Sequence, residues 1–289
     1  MSRFSELTRD WFAGTFAAPT PAQAQAWEAI ADGHNTLVIA PTGSGKTLAA
    51  FLWAIDRLAS QERPDKPATR VLYVSPLKAL AVDVERNLST PLTGITRVAE
   101  RLGLPAPNIS VGVRSGDTTP KRRREMLTKP PDVLITTPES LFLMLTSAAR
   151  ETLARVETVI VDEVHAVAAT KRGAHLALSL ERLDQILTTP AQRIGLSATV
   201  RPPEEVARFL AGTAPTTIVA PKAAKTFDLS VRVPVPDMAN LANNTIWPDV
   251  EEQIVDLIEA HKSTIVFANS RRLAERLTSR LNEIHAERT

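Results

Sequence analysis

Seven short apolar runs, separated by helical stretches, constrain this chain more than any other feature. They cover residues 36–40, 71–75, 109–113, 132–136, 158–162, 193–196 and 217–219 and are rich in Val, Ile and Leu without polar alternation. Strands covered on both faces read this way. Between them lie helical patterns at 46–59, 79–87, 120–127, 138–148, 174–187 and 203–210. Such alternation predicts an α/β fold, a mostly parallel sheet with helices on both sides. Right-handed crossovers then bring every strand's carboxyl end to one edge, where ligands of such sheets bind.

Beyond Pro221 the pattern loosens. Lys222, Lys225, Pro234 and Pro236 surround one expected strand, 229–235. A helix at 248–261, a strand at 264–268 and an amphipathic helix at 271–284 follow, the last with Leu273, Leu277, Leu281 and Ile284 on one face. The 289 residues thus divide at 221/222, and the second part has too few strands for a doubly wound domain of its own.

Composition removes several classes. No apolar run reaches the ~18 residues of a membrane span, and Met1–Gly14 carries Arg3, Glu6, Arg9 and Asp10 where a secretory signal would be apolar. Cysteine is absent, which excludes disulfides, thiol catalysis and Cys-based zinc sites and fits a cytoplasmic location. Net charge is only +2, with +3 through residue 221 and −1 after it. Any nucleic-acid surface is therefore local.

Ala40-Pro41-Thr42-Gly43-Ser44-Gly45-Lys46-Thr47 follows the first run and opens a helix. This is the context a phosphate-binding loop requires. Its backbone N–H groups and helix start suit β- and γ-phosphates, Lys46 supplies a point charge, and Thr47 offers a hydroxyl to Mg²⁺. Ala40 stands where the consensus has Gly. Asp162 and Glu163 leave the fifth run on the same edge. There Asp162 suits Mg²⁺, and Glu163 suits the base that prepares the attacking water. His165 follows as a coupling candidate.

Asp162-Glu163-Val164-His165 is a DExH box and Ser197-Ala198-Thr199 a SAT motif. With the phosphate loop they resemble superfamily 2 helicases, whose motor is two RecA-like domains. Pro19-Thr20-Pro21-Ala22-Gln23 looks like the segment of the adenine-reading glutamine, here Gln23. Ser75-Pro76-Leu77-Lys78-Ala79-Leu80 looks like motif Ia, Thr136-Thr137-Pro138-Glu139-Ser140 like motif Ib, and the segment from Thr264 to Ser270 like motif IV. The wording is closer still to the large helicase-related (Lhr) family, which also carries an element like Lys171–His175. The resemblance implies a RecA-like domain at 1–221 and an incomplete second one at 222–289. It implies ATP and Mg²⁺ as cofactors and movement 3′ to 5′ along single-stranded DNA or RNA, with unwinding of DNA or RNA:DNA duplexes. Ser197 and Thr199 would link the two sites.

The residues give that expectation a physical basis. Thr137 suits an N-cap and Pro138 a first helical position, so this helix start offers N–H groups to a backbone phosphate. Ser75, Pro76 and Leu77 can do likewise, and Arg114 with Gly116 sits in a turn open to close approach. Such contacts position a strand without reading bases. Lys121-Arg122-Arg123-Arg124, the one basic run, reads first as a solvated helix face.

The family's later Gln-x-x-Gly-Arg-x-Gly-Arg segment, which supplies arginine fingers worth ~10³–10⁵ in rate in related phosphoryl transfer, is not in these 289 residues. The expectation is a chain that binds nucleotide better than it turns it over and does not translocate alone. The alternative is a stand-alone nucleotide- and nucleic-acid-binding module without motor activity. ABC-type ATPases and small-molecule kinases fit the motif set less well.

Overall fold

The computed structural model describes residues 1–289 except 63, 65, 223–227, 236, 239, 240 and 242–244, and except the side chains of 78–82. Lys225 and Pro236 of the expected linker, and the side chains of Lys78, Ala79 and Leu80, lie outside the described residues. Two compact units are present, Met1–Ala224 and Lys225–Thr289.

The first unit is a seven-stranded sheet. Its strands are β1 (Asn35–Ile39), β2 (Val71–Val74), β3 (Val111–Arg114), β4 (Val133–Thr136), β5 (Thr158–Val161), β6 (Gln192–Ser197) and β7 (Thr216–Val219). They lie in the order β3-β4-β2-β5-β6-β1-β7, and every pairing is parallel. The helices are α1 (Glu6–Thr15), α2 (Pro21–Ala31), α3 (Lys46–Ser60), α4 (Lys78–Leu102), α5 (Pro120–Thr128), α6 (Pro138–Leu145), α7 (Val164–Val167), α8 (Lys171–Asp184) and α9 (Pro203–Ala211).

Alternate strand residues feed two cores. Val38, Tyr73, Ile135, Ile160 and Ile194 face α1 to α4 with Trp27 and Phe51. Leu37, Leu72, Leu134, Val159 and Val161 face Leu141, Leu176, Leu180 and Leu210 on the other side. Burial on both faces explains why these strands show no polar alternation. Each fully buried side chain of this kind contributes about 1.5–3 kcal/mol.

Several elements of this unit differ from the sequence expectation. Helices α1 and α2 were not anticipated; Thr20 and Gln23 close α2 with a capping box, a Thr-x-x-Gln signal that was present in the sequence. The helix expected at 79–87 runs on to Leu102 with Pro91 inside it. Val84, Leu88, Ile95 and Ala99 bury one face of α4, which offsets the hydrogen bond that proline removes. The third strand lies at 111–114, two residues later at its start than expected.

The second unit holds α10 (Trp247–Glu259) and α11 (Arg271–Arg288), packed together through Val255, Leu277 and Ile284. Arg288 binds Asp256 at 2.8 Å, and the Arg276 guanidinium lies 4.7 Å from the Trp247 ring centre. The strands expected at 229–235 and 264–268 are not formed among the described residues. Leu229, Val231, Ile265 and Phe267 are exposed there. A strand gains its stability from paired neighbours, and among the described residues these segments pair with none.

Gly173, near the start of α8, permits a close approach to α7. A Cβ there would lie 2.0 Å from the Val167 carbonyl oxygen. Backbone is the obstacle, so Gly173→Ala should cost about 1–3 kcal/mol and lower Tm by several degrees. Thermal denaturation checks this, and an unchanged Tm would refute the contact.

Candidate functional site

The strand order splits the carboxyl edge into two neighbourhoods. Adjacent strands β1, β6 and β5 end at the phosphate loop, at Ser197 and at Asp162-Glu163. On the other side of β5, strands β2, β4 and β3 end at Ser75, Thr137 and Ser115. Strand β5 borders both.

In the loop, Gly43 and Gly45 take φ of +79° and +80°, a region open to glycine. Gly45 ends the loop as the N-cap of α3. Lys46 Nζ donates to the carbonyl oxygens of Ala40 at 2.5 Å and Pro41 at 3.0 Å. Burial lowers the Lys46 pKa, and the charges of Glu163 and Asp162 oppose that shift. Lys46 and both acids therefore share one electrostatic site. Ser44 Oγ is buried with no hydrogen-bond partner among the described residues, as expected of a loop shaped for a ligand oxygen. Thr42 and Gly43 are exposed, and Thr47 is half-buried on the first turn of α3.

Gln23 is buried against this loop. Its Oε1 accepts from the Thr20 N–H at 2.9 Å and its Nε2 donates to the Gly45 carbonyl at 3.3 Å. The Thr20 hydroxyl donates to the Ser44 carbonyl at 2.9 Å. The α2 capping box is thus also a strap on the loop. A Cβ on Gly45 would come within 2.4 Å of Gln23 Nε2, so the strap needs glycine.

Asp162 is 8% exposed. Its Oδ1 accepts the Glu163 N–H at 2.9 Å, and its Oδ2 accepts the Tyr73 hydroxyl. Tyr73, the chain's single tyrosine, stacks on Phe51 with ring centres 4.9 Å apart. Burial, then the Asp162 charge, drives the Tyr73 pKa far up, so its hydroxyl keeps its proton and donates. The sequence reading missed this partner. The clue was a lone tyrosine in a run buried on both faces, where its hydroxyl needs an acceptor.

Glu163 is the one described non-glycine residue with positive φ, at +44°. Such geometry is costly and concentrates at functional sites. It turns the chain from β5 into α7 and brings Glu163 Oε2 to 3.4 Å from His165 Nδ1. The same ring nitrogen lies 3.3 Å from Ser197 Oγ and accepts the Ala198 N–H at 3.3 Å. His165 therefore joins the acid of β5 to the end of β6. Thr199 lies beyond it, exposed.

In the second neighbourhood, Thr137 caps α6 by accepting the Ser140 N–H at 3.4 Å, and Pro138 is the first helical residue. The Ser75 N–H is spent on the Thr136 carbonyl and its hydroxyl on the Leu77 carbonyl. Ser75 thus shapes its loop from within; Pro76 is buried and Leu77 is 56% exposed. Arg114 ends β3, its pKa lowered by burial and then by the Arg123 charge. Arg123, from the basic run, donates to the Gly116 carbonyl at 2.9 Å and so props this turn. Arg172, from α8, binds the Glu139 carboxylate and donates to the Pro76 carbonyl at 2.5 Å. That clamp joins residues far apart in the chain and was not anticipated.

Thr47 and Asp162 present hydroxyl and carboxylate oxygens, the donor type Mg²⁺ prefers. No group of three or more His, Cys, Asp or Glu that could hold a metal occurs among the described residues. A site of one or two side chains completed by substrate phosphates is the usual Mg²⁺ arrangement. No helix among the described residues is long and apolar enough to cross a membrane.

The chain is similar to several known proteins. Over its whole length the chain is 83% identical to the Lhr helicase/probable uracil glycosylase of Mycolicibacterium smegmatis, of which it covers 19%. It is 54% identical over 305 aligned residues to the Lhr helicase/uracil glycosylase of Escherichia coli, covering 99% of this chain and 20% of that protein. The chain thus spans about a fifth of these relatives' length. The structure of the Mycobacterium smegmatis helicase Lhr bound to ssDNA and AMP-PNP matches 99% of this chain and 36% of that one, with a TM-score of 0.85 and 84% identity. The helicase MrfA, at 23% identity and a TM-score of 0.77, shares the fold. The DEAD/DEAH box helicase model matches residues 20–208. The chain therefore belongs to the DEAD/DEAH box helicase family.

Proposed function

We propose that this chain is the ATP-binding part of an Lhr-type motor that moves 3′ to 5′ along a single nucleic-acid strand and unwinds DNA or RNA:DNA duplexes. The observation that carries the reading is one shared edge. On it, β5 sets Asp162 and Glu163 between the phosphate loop and the ends of β2, β4 and β3. The relative bound to ssDNA and AMP-PNP supports the same pairing of ligands here.

In this reading the N–H groups of Thr42, Gly43, Ser44 and Gly45 and the start of α3 hold the β- and γ-phosphates, and Gln23 reads adenine beside them. Lys46 exchanges its loop carbonyls for phosphate oxygens. Thr47 and Asp162 hold Mg²⁺, which when bound neutralises charge at the β- and γ-phosphates. The Tyr73 hydroxyl fixes one Asp162 oxygen and so orients the carboxylate. Glu163 orients the attacking water and takes its proton. His165, with Ser197 and Thr199, carries the change of state from β5 to β6 and beyond. Leu77, Arg114, Gly116 and the helix start at Thr137 and Pro138 form the surface for strand phosphates, and Ser75 and Pro76 shape its loop from within.

The 222–289 part is, in this reading, the start of a second RecA-like domain, with 1–221 the first. Translocation and fast turnover belong to the longer protein, working in the cytoplasm. A labelled single-stranded oligonucleotide tests the reading. Its anisotropy should rise with this chain, and binding should weaken as salt rises. No binding at low salt would overturn it.

A further inference from the structure

We propose that Arg172 is a positioning residue for the nucleic-acid strand, neutralising Glu139 and locking the Pro76 loop to the start of α6. The inference rests on the strand surface proposed above. Arg172 reaches from the first turn of α8 to two segments at the ends of adjacent strands. Its Nε and Nη2 form a fork on the Glu139 carboxylate, the second bond at 2.9 Å, while Nη1 donates to the Pro76 carbonyl at 2.5 Å. Pro76 follows β2 and Glu139 follows β4, and these strands pair directly. A planar guanidinium makes this fork and the third bond together; an ammonium does not.

Charge makes the clamp more than a brace. Glu139 lies in the first turn of α6, beside the Thr137 cap and Pro138. A bare carboxylate there would repel the backbone phosphate that this helix start attracts. The Arg172 hydrogen bond is the largest of the influences that hold the Glu139 pKa down to about 2, so the pair is ionised at neutral pH. Both charges are then spent on each other, and the helix start keeps its attraction for an anion. The neighbouring residue ties the clamp to the other neighbourhood. Gly173 packs on the Val167 carbonyl at the end of α7, the helix that begins beside Glu163 and carries His165. A shift of α7 would therefore reach Pro76 and Glu139 through one side chain.

The test uses this chain, Arg172→Gln and the double variant Arg172→Gln/Glu139→Gln. A short labelled oligothymidylate is titrated across a salt series, and a non-hydrolysable ATP analogue is titrated separately. Arg172→Gln should weaken strand binding about tenfold with the salt slope kept, because no phosphate contact is lost. The double variant should recover most of the affinity. Analogue binding should match the parent chain in both, which also reports that both fold. Parent-like strand affinity in Arg172→Gln would overturn the inference and leave the strand surface standing. A double variant as weak as the single one, with a slope smaller by about one, would make Arg172 a direct phosphate contact and also overturn it. If the parent chain binds no oligothymidylate, the strand surface and the inference fall together.

Discussion

Replacing Glu163 by Gln should lower single-turnover ATP hydrolysis by about 10²–10⁴ while leaving affinity for a non-hydrolysable analogue near that of the parent chain. The split follows from where Glu163 sits. Its backbone holds positive φ at the exit of β5, and its side chain lies 3.4 Å from His165 rather than in the phosphate loop. The amide keeps the size and a hydrogen bond but cannot take a proton. Rapid-quench assays at enzyme excess read hydrolysis even when steady turnover is slow. Equal rates would remove Glu163 from the role of base. Lost analogue binding would instead mean that the positive-φ turn had collapsed.

Lys46→Ala should do the opposite and strike binding first. Lys46 Nζ is held by the Ala40 and Pro41 carbonyls, and the charges of Glu163 and Asp162 act on it. Losing a charged hydrogen bond to phosphate costs about 1.5–3 kcal/mol, roughly a 10- to 150-fold rise in the dissociation constant of the analogue. Calorimetric titration measures it. Because burial lowers the Lys46 pKa, affinity should also fall as pH rises through that lowered value, at a pH below 10.5. A pH profile shared by parent and variant would contradict the assignment.

The sequence carried the strands well for a physical reason. Leu37, Val38, Leu72 and Ile160 are fully buried, so their runs are apolar throughout and easy to see. The phosphate loop and the DExH box were legible because their chemistry needs fixed local spacing. Elements that depend on distant partners were not. Helix α4 passes through Pro91 because the core beneath it favours continuation. The runs at 229–235 and 264–268 have strand-like composition, yet they form no strand among the described residues. Tyr73 meets Asp162 across 89 positions, and Arg172 meets Glu139 across 33, and no spacing rule links either pair. Ser75 reads from the sequence as a strand contact, yet its N–H and its hydroxyl are both spent within the chain, and only the folded chain reveals that.

The most direct test of the account is a crystal structure of this chain with AMP-PNP and Mg²⁺. The triphosphate should lie in the loop from Ala40 to Thr47, with its terminal phosphate against Lys46 Nζ, its adenine beside Gln23 and the Asp162-Glu163 pair facing it. A triphosphate held anywhere else on the chain would contradict it.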